Sequence, residues 1–296
     1  MVEYILGNYL VETGKLTEEQ LETVVTKQDE TRVKLGLLAV SEGIMTIEQA
    51  EKVNQLQSTM DKRFGDIAVE QGFLTEGQIG NLLKKQGNAY LSFAQALVDA
   101  GYLNMQELDE MLDGFQKANS FSKSDMEDLK SDEPERIVAL YIPNDAMAYK
   151  DVIGVLIRTL IRCVDRHAYM GKAIVQDGIT VEKGAFQKIA DFTSPIEGVT
   201  ELETGFVEES GALHDIASAF CKMEDLDDED LLDAAGEFLN CVNGLYASGI
   251  SREGIDSELM PPVIFNSEKT YTEKGICKVP VCLKNKKSFF VVIGRN

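Results

Sequence analysis

Four copies of one 24-residue unit open the chain, each starting 29 residues after the last, at Leu6-Gly7, Leu35-Gly36, Phe64-Gly65 and Phe93-Ala94. Each copy continues with Leu/Ala-Val and a Gly; the first three then carry a Thr-x-x-Gln and end on Gln28, Gln57 and Gln86. A fixed period means that each unit is one small element, unable to bury its apolar face except against its neighbours. In the first copy Leu6, Leu10 and Val11 share a helical face. Gly14 falls where a helix ends in left-handed backbone, and Thr17 with Gln20 makes a capping box for a second helix. Leu21, Val24 and Val25 give that helix its buried side. The punctuation recurs at Gly43, Thr46 and Gln49, and at Gly72, Thr75 and Gln78. The fourth copy keeps Gly101, uses Asn104 and Glu107 as its cap, and has Phe115 where the closing Gln stood. Residues 1–118 are therefore expected to form an all-α tandem repeat.

This segment resembles the MshE N-terminal family, found at the front of type II secretion and pilus ATPases. Its paired 24-residue motifs, five residues apart, bind cyclic di-GMP. The family motif opens with an Arg before Leu-Gly; here Ile5, Lys34, Arg63 and Ser92 stand there, so the second and third copies keep a cation. The resemblance implies a cyclic di-GMP site formed by Lys34, Gly36 and Gln57 with Arg63, Gly65 and Gln86. The cations suit guanine or phosphate, and Gly lets backbone approach closely. The alternative is that these Gly and Gln residues only pack helices.

Composition limits the partners. A formal net charge of −21 argues against a nucleic-acid polymer or an anionic membrane, both of which need clustered cations. Residues 1–10 lack the pattern of a secretory signal, and no apolar run suits a spanning helix. The five scattered cysteines are expected as buried thiols in a reducing cytoplasm. With only two histidines, no metal site is expected.

Residues 119–134 are polar and acidic and end at Pro134, which predicts an acidic linker between two domains. Beyond it, residues 135–296 read as an α/β domain. Strands are expected at 137–142 and 200–208, and helices at 149–166, 213–223 and 229–247. An extended segment follows Pro261-Pro262. A hairpin joins 279–283 to 288–293 around Lys284-Asn-Lys-Lys287. In the helix at 149–166, Val152, Val155, Leu156, Thr159, Leu160 and Cys163 share a face.

The helix at 229–247 carries the most chemistry. Leu231, Ala235, Phe238, Val242 and Leu245 form one apolar stripe, while Asp233, Glu237 and Asn240 fall at spacings of four and three on the opposite side. Spacing alone also fits the wet face of an amphipathic helix. Two residues are out of place on such a face. Gly236 costs a helix interior about 1 kcal/mol, which predicts a close approach there. Asn240 is a poor helix former.

Asp233-x-x-x-Glu237-x-x-Asn240, followed by Asn243-Gly244 and Met260-Pro261-Pro262-Val263, resembles the CheX and CheC class of chemotaxis phosphatases. Members of that class hydrolyse the aspartyl-phosphate of CheY-like response regulators. The resemblance implies that Asn240 orients the attacking water, Glu237 pairs with the regulator's Lys and Asp233 supports docking. It implies no cofactor of the protein's own, Mg being supplied by the partner receiver. A single motif is the CheX arrangement, which implies a homodimer. The alternative is a non-catalytic signalling adaptor that binds a partner protein or a cyclic dinucleotide.

Overall fold

The computed structural model describes residues 1–57, 59–60, 62–224, 226–284 and 286–295. Apart from Met1, the chain divides into two compact units, Val2–Asp132 and Glu133–Asn296.

In the front unit each repeat becomes a helix pair: α1 (Val2–Glu12) with α2 (Glu18–Gln28), α3 (Leu35–Ser41) with α4 (Ile47–Gln57), α5 (Phe64–Glu70) with α6 (Glu76–Leu83), and α7 (Ala89–Asp99) with α8 (Met105–Asn119). The punctuation works as its chemistry dictates. Gly14, Gly43, Gly72 and Gly101 take positive φ between 65° and 71°, backbone that only Gly adopts without strain. The chain then folds back, so that Lys15, Ile44, Phe73 and Tyr102 donate to the carbonyls of Leu10, Ala39, Ala68 and Leu97 at 2.8–3.1 Å. This satisfies carbonyls that the helix end would otherwise leave unpaired. Thr17 with Gln20, Thr75 with Gln78 and Asn104 with Glu107 form reciprocal capping boxes. Thr46 and Gln49 exchange the same two bonds, at 2.8 and 3.2 Å.

Residues 119–134 were expected to lack a core. They hold α9 (Lys123–Lys130), capped by Ser122, with Met126 and Leu129 buried. Two apolar residues three apart suffice to seat one side of a short helix, and the acidic residues around them mask the pattern. The division between the units falls after Asp132.

The rear unit begins with α10 (Pro134–Tyr141), where a strand was expected. Pro134 opens this helix at a position where a missing N–H costs nothing, and Ile137 and Val138 turn inward. A 3-10 turn at Asn144–Tyr149 leads into α11 (Lys150–Cys163). Then come β1 (Tyr169–Met170), β2 (Ile174–Gln176), β3 (Ile179–Val181), β4 (Gly184–Ala190) and β5 (Glu201–Glu208). The helices α12 (Ala212–Cys221) and α13 (Asp228–Arg252) follow, and the chain ends in β6 (Glu258–Leu259), β7 (Val263–Phe265), β8 (Lys269–Tyr271), β9 (Ile276–Leu283) and β10 (Lys286–Arg295). Asn285, at the tip of the expected hairpin, lies outside the described residues.

The main sheet runs β1-β9-β10-β5-β4-β6, with β2 also on β9 and β7 also on β4, and its pairings are antiparallel. Alternation along the strands divides their side chains between two layers. Thr204 and Phe206 of β5 lie beside α13, where Phe206 and Phe238 have ring centroids 5.8 Å apart. On the other side Phe186, Val291 and Ile293 pack with Val181 and Tyr271 of the small β3–β8 sheet. Gly205 is required there, because a Cβ would run into the ring of Phe186.

The thiols divide. Cys163 is exposed and Cys221 and Cys241 are half-buried, contrary to the expectation of burial throughout. Cys163 ends α11, past the last turn that packs. Cys277 and Cys282 are buried, and burial pushes their thiols up to about 12 and about 11. Among the described residues, no helix is long and apolar enough to cross a membrane.

Candidate functional site

Helix α13 is 25 residues long, and Asp227 starts it by accepting hydrogen bonds from the backbone of Glu229 and Asp230. Its Leu231, Leu232, Ala235, Phe238, Leu239 and Val242 are buried. Leu245, expected on the same stripe, is 45 % exposed. The helix changes partners along its length: Phe238 and Asn243 face the sheet, whereas Tyr246 and Ile250 turn toward α10 and α11.

Asp233 and Glu237 stand exposed on this helix and Asn240 is half-buried one turn on. Asn240 is anchored from below. Gln187 of β4, only 1 % exposed, donates from Nε2 to Asn240 Oδ1 and to the carbonyl of Met260, both at 2.8 Å. Gln187 Oε1 accepts from Asn243 Nδ2 at 2.8 Å. Asn243, fully buried, also exchanges bonds with the Thr204 hydroxyl at 2.8 and 3.1 Å. A buried polar chain of this kind keeps its place only when its members are satisfied.

Gln187, Asn243 and Thr204 were not expected as parts of the site. The signal was present but faint. Gln187 is a polar residue between Phe186 and Lys188 of β4, and Asn243 follows Asn240 by three, on the same side of the helix. No approach close enough to require Gly is found at Gly236: a Cβ there would meet Pro262 Cβ at 3.4 Å, an ordinary contact. The Met260–Pro262 segment thus closes one flank of the site, and Val263 and Ile264 beyond it are exposed.

Two clefts of the rear unit lie apart from these residues. A cleft of about 240 Å³ between α10, α11 and α13 is lined by Lys150, Arg158 and Tyr246 among others. A second, of about 180 Å³, is lined by Asp165, Asp215 and Lys286 among others. Neither includes Asp233, Glu237 or Asn240.

The front-unit candidates show mostly structural partners. Lys34 precedes α3; its backbone N–H donates to Gln95 and its ammonium meets Asp99 at 2.6 Å. Arg63 precedes α5, is exposed and makes no ion pair among the described residues. Gln57 donates to the carbonyl of Lys62 at 3.2 Å, and Gln86 to that of Val33 at 2.8 Å. A Cβ on Gly36 would crowd the ring of Phe64, and one on Gly65 would crowd Ile79 and Leu35. Both glycines therefore let helices cross closely.

No family model and no curated protein matches the chain. Among solved structures, it is similar to a chemotaxis protein CheX from Desulfovibrio desulfuricans, at 13 % identity and a TM-score of 0.41, over 50 % of this chain and 99 % of that one. It is similar to CheX from Vibrio vulnificus at 14 % identity and a TM-score of 0.40, over 51 % of this chain and 100 % of that one. It is also similar to the CheX-CheY-BeF3-Mg complex from Borrelia burgdorferi, at 17 % identity and a TM-score of 0.38, over 50 % of this chain and 96 % of that one. Structural neighbours over about half of this chain thus include CheX- and CheC-like chemotaxis proteins.

Proposed function

We propose that the rear unit is a CheX-type phosphatase acting on the aspartyl-phosphate of a CheY-like receiver. The observation that carries this reading is the anchored Asn240 carboxamide, one turn from a solvent-facing Glu237, on a helix with the Asp-x-x-x-Glu-x-x-Asn pattern. Aspartyl-phosphate hydrolysis asks for little covalent chemistry from the protein; it needs one water held in line and charge compensated. The water oxygen bonds to phosphorus as the bond from phosphorus to the aspartate oxygen breaks. The electron pair stays on the receiver's carboxylate, and a water proton passes to a phosphate oxygen. A metal ion held by the receiver neutralises charge on the phosphoryl group. Asn240 orients the water, Glu237 pairs with the receiver's Lys, and Asp233 supports docking.

The test is the lifetime of a phosphorylated CheY-like receiver with and without the protein. Wild type shortens it, and Asn240→Ala loses about 10²-fold of the acceleration, as expected for a misplaced reacting group. Unchanged turnover in that variant removes the site. Receiver binding with no change in phosphate lifetime replaces this reading with that of an adaptor.

In the same reading the front unit is a regulatory module that takes cyclic di-GMP between its second and third copies. The exposed Arg63, free of ion pairs among the described residues, favours this. Calorimetric titration with cyclic di-GMP gives heat with wild type and less with Arg63→Ala. No heat at high ligand concentration leaves the repeats as packing modules.

A further inference from the structure

We propose that Gln187 is a positioning residue that locks the Asn240 carboxamide with its NH2 outward, so that the site presents a hydrogen-bond donor to the water or phosphoryl oxygen. The inference rests on the phosphatase reading for its catalytic consequence, but not for its geometry.

The orientation follows from donor and acceptor counting and does not depend on how any one amide is drawn. A backbone carbonyl only accepts. The Gln187 atom 2.8 Å from the Met260 carbonyl oxygen is therefore Nε2. The same nitrogen lies 2.8 Å from Asn240, so the Asn240 atom facing it must be the acceptor, Oδ1. Both Nε2 protons are then used, and Gln187 Oε1, the remaining group, takes the proton of Asn243 Nδ2. Asn243 is fixed in turn by the Thr204 hydroxyl. Turning Asn240 over would set NH2 against NH2 beside a residue 1 % exposed, where an unmet donor is costly. The Asn240 Nδ2 therefore points away from Gln187.

The consequence is chemical. A water oxygen that accepts from Asn240 Nδ2 keeps its other lone pair for phosphorus, whereas a carboxamide presenting oxygen would hold the water by its proton. Gln187 lies on β4 and Asn240 on α13. The sheet thus sets which end of the amide the helix offers.

Side-chain amide exchange by 15N NMR on the full chain tests the orientation directly, with the Asn240 signal assigned by its loss in Asn240→Asp. The expected result is slow exchange for the Gln187 and Asn243 NH2 groups and fast exchange for Asn240. Equal protection of Asn240 and Gln187 overturns the orientation. The positioning role is read with Gln187→Met, which keeps length and removes both polar groups. Its kcat on a phosphorylated receiver falls about tenfold or more with KM little changed, the signature of lost alignment without lost docking. An unchanged kcat in the folded variant overturns the role. If wild type is inactive yet shows the expected exchange pattern, the phosphatase reading fails and the orientation stands. Should Gln187→Met fail to fold, the exchange pattern of wild type still decides the proposal.

Discussion

Single residues decide how the rear unit responds to acid. Arg295 at the end of β10 reaches Glu201 at 3.0 Å, Glu203 at 2.6 Å and Glu273 at 2.7 Å. Its hydrogen bond holds Glu273 below the usual carboxylate range, against some desolvation. Burial pushes Glu201 up, but Lys188 and Arg295 together bring it below its ordinary value of 4.5. A carboxylate whose folded-state value lies below its unfolded one adds stability above the unfolded value. That stability is lost as pH falls through the folded value. The thermal midpoint of wild type should therefore exceed that of Arg295→Met most near neutral pH, and the gap should narrow below about pH 4.5. A gap that stays constant from pH 7 to pH 3.5 would sink this account. Nothing in the sequence singled out Arg295, because its three carboxylates come from β5 and from the segment before β9, brought together by strand pairing.

At the scale of elements, α13 shows what periodicity can and cannot deliver. The spacing of Leu231, Ala235, Phe238 and Val242 located its buried face, and Asp233 and Glu237 fell outside as the period requires. Leu245 did not follow, since a helix of 25 residues outlasts one packing partner. Gly236 was legible as an anomaly, but the close approach it suggested is not there: its neighbour Pro262, 26 residues away, leaves room for a Cβ. That geometry predicts a gain. In Gly236→Ala the new Cβ meets Pro262 at 3.4 Å, an ordinary contact, while the helix gains the propensity that Gly lacks. Stability should rise by about 1 kcal/mol at most, read as a higher denaturant midpoint at unchanged m-value. A loss of more than that amount would mean the Pro262 segment cannot yield. The strand expected at 137–142 failed for a related reason. A run of six residues carries too little period to separate helix from strand, and the Pro134 start was the better signal.

Over the whole molecule, two units with separate cores should unfold separately. Leu38 is fully buried in the front unit and Phe238 in the rear one. Truncating either to Ala removes about 2–5 kcal/mol of packing. Calorimetry should show Leu38→Ala lowering one transition and Phe238→Ala the other. A single transition shifted equally by both variants would mean that the two cores fold as one. Chain order alone made this organisation visible, since a 29-residue period stops before residue 119 and a mixed pattern replaces it.

The sequence by itself determined whatever is local. Gly-Thr-x-x-Gln punctuation specifies a helix stop and a helix start within seven residues, through a positive φ and a capping box, and the structure places both in every complete copy. The spacing of Asp233, Glu237 and Asn240 likewise sets which side of α13 they share. Only the tertiary structure decided what those side chains meet. Phe115, which replaces a repeat Gln, packs edge-on to Tyr9 at 5.3 Å, and the Lys34 cation is already paired with Asp99. Asn240 acquires its orientation from Gln187, 53 residues earlier on a strand. Such contacts depend on register across a sheet and on the seating of a helix over it, quantities set by burial of the whole core and not by any short stretch of chain.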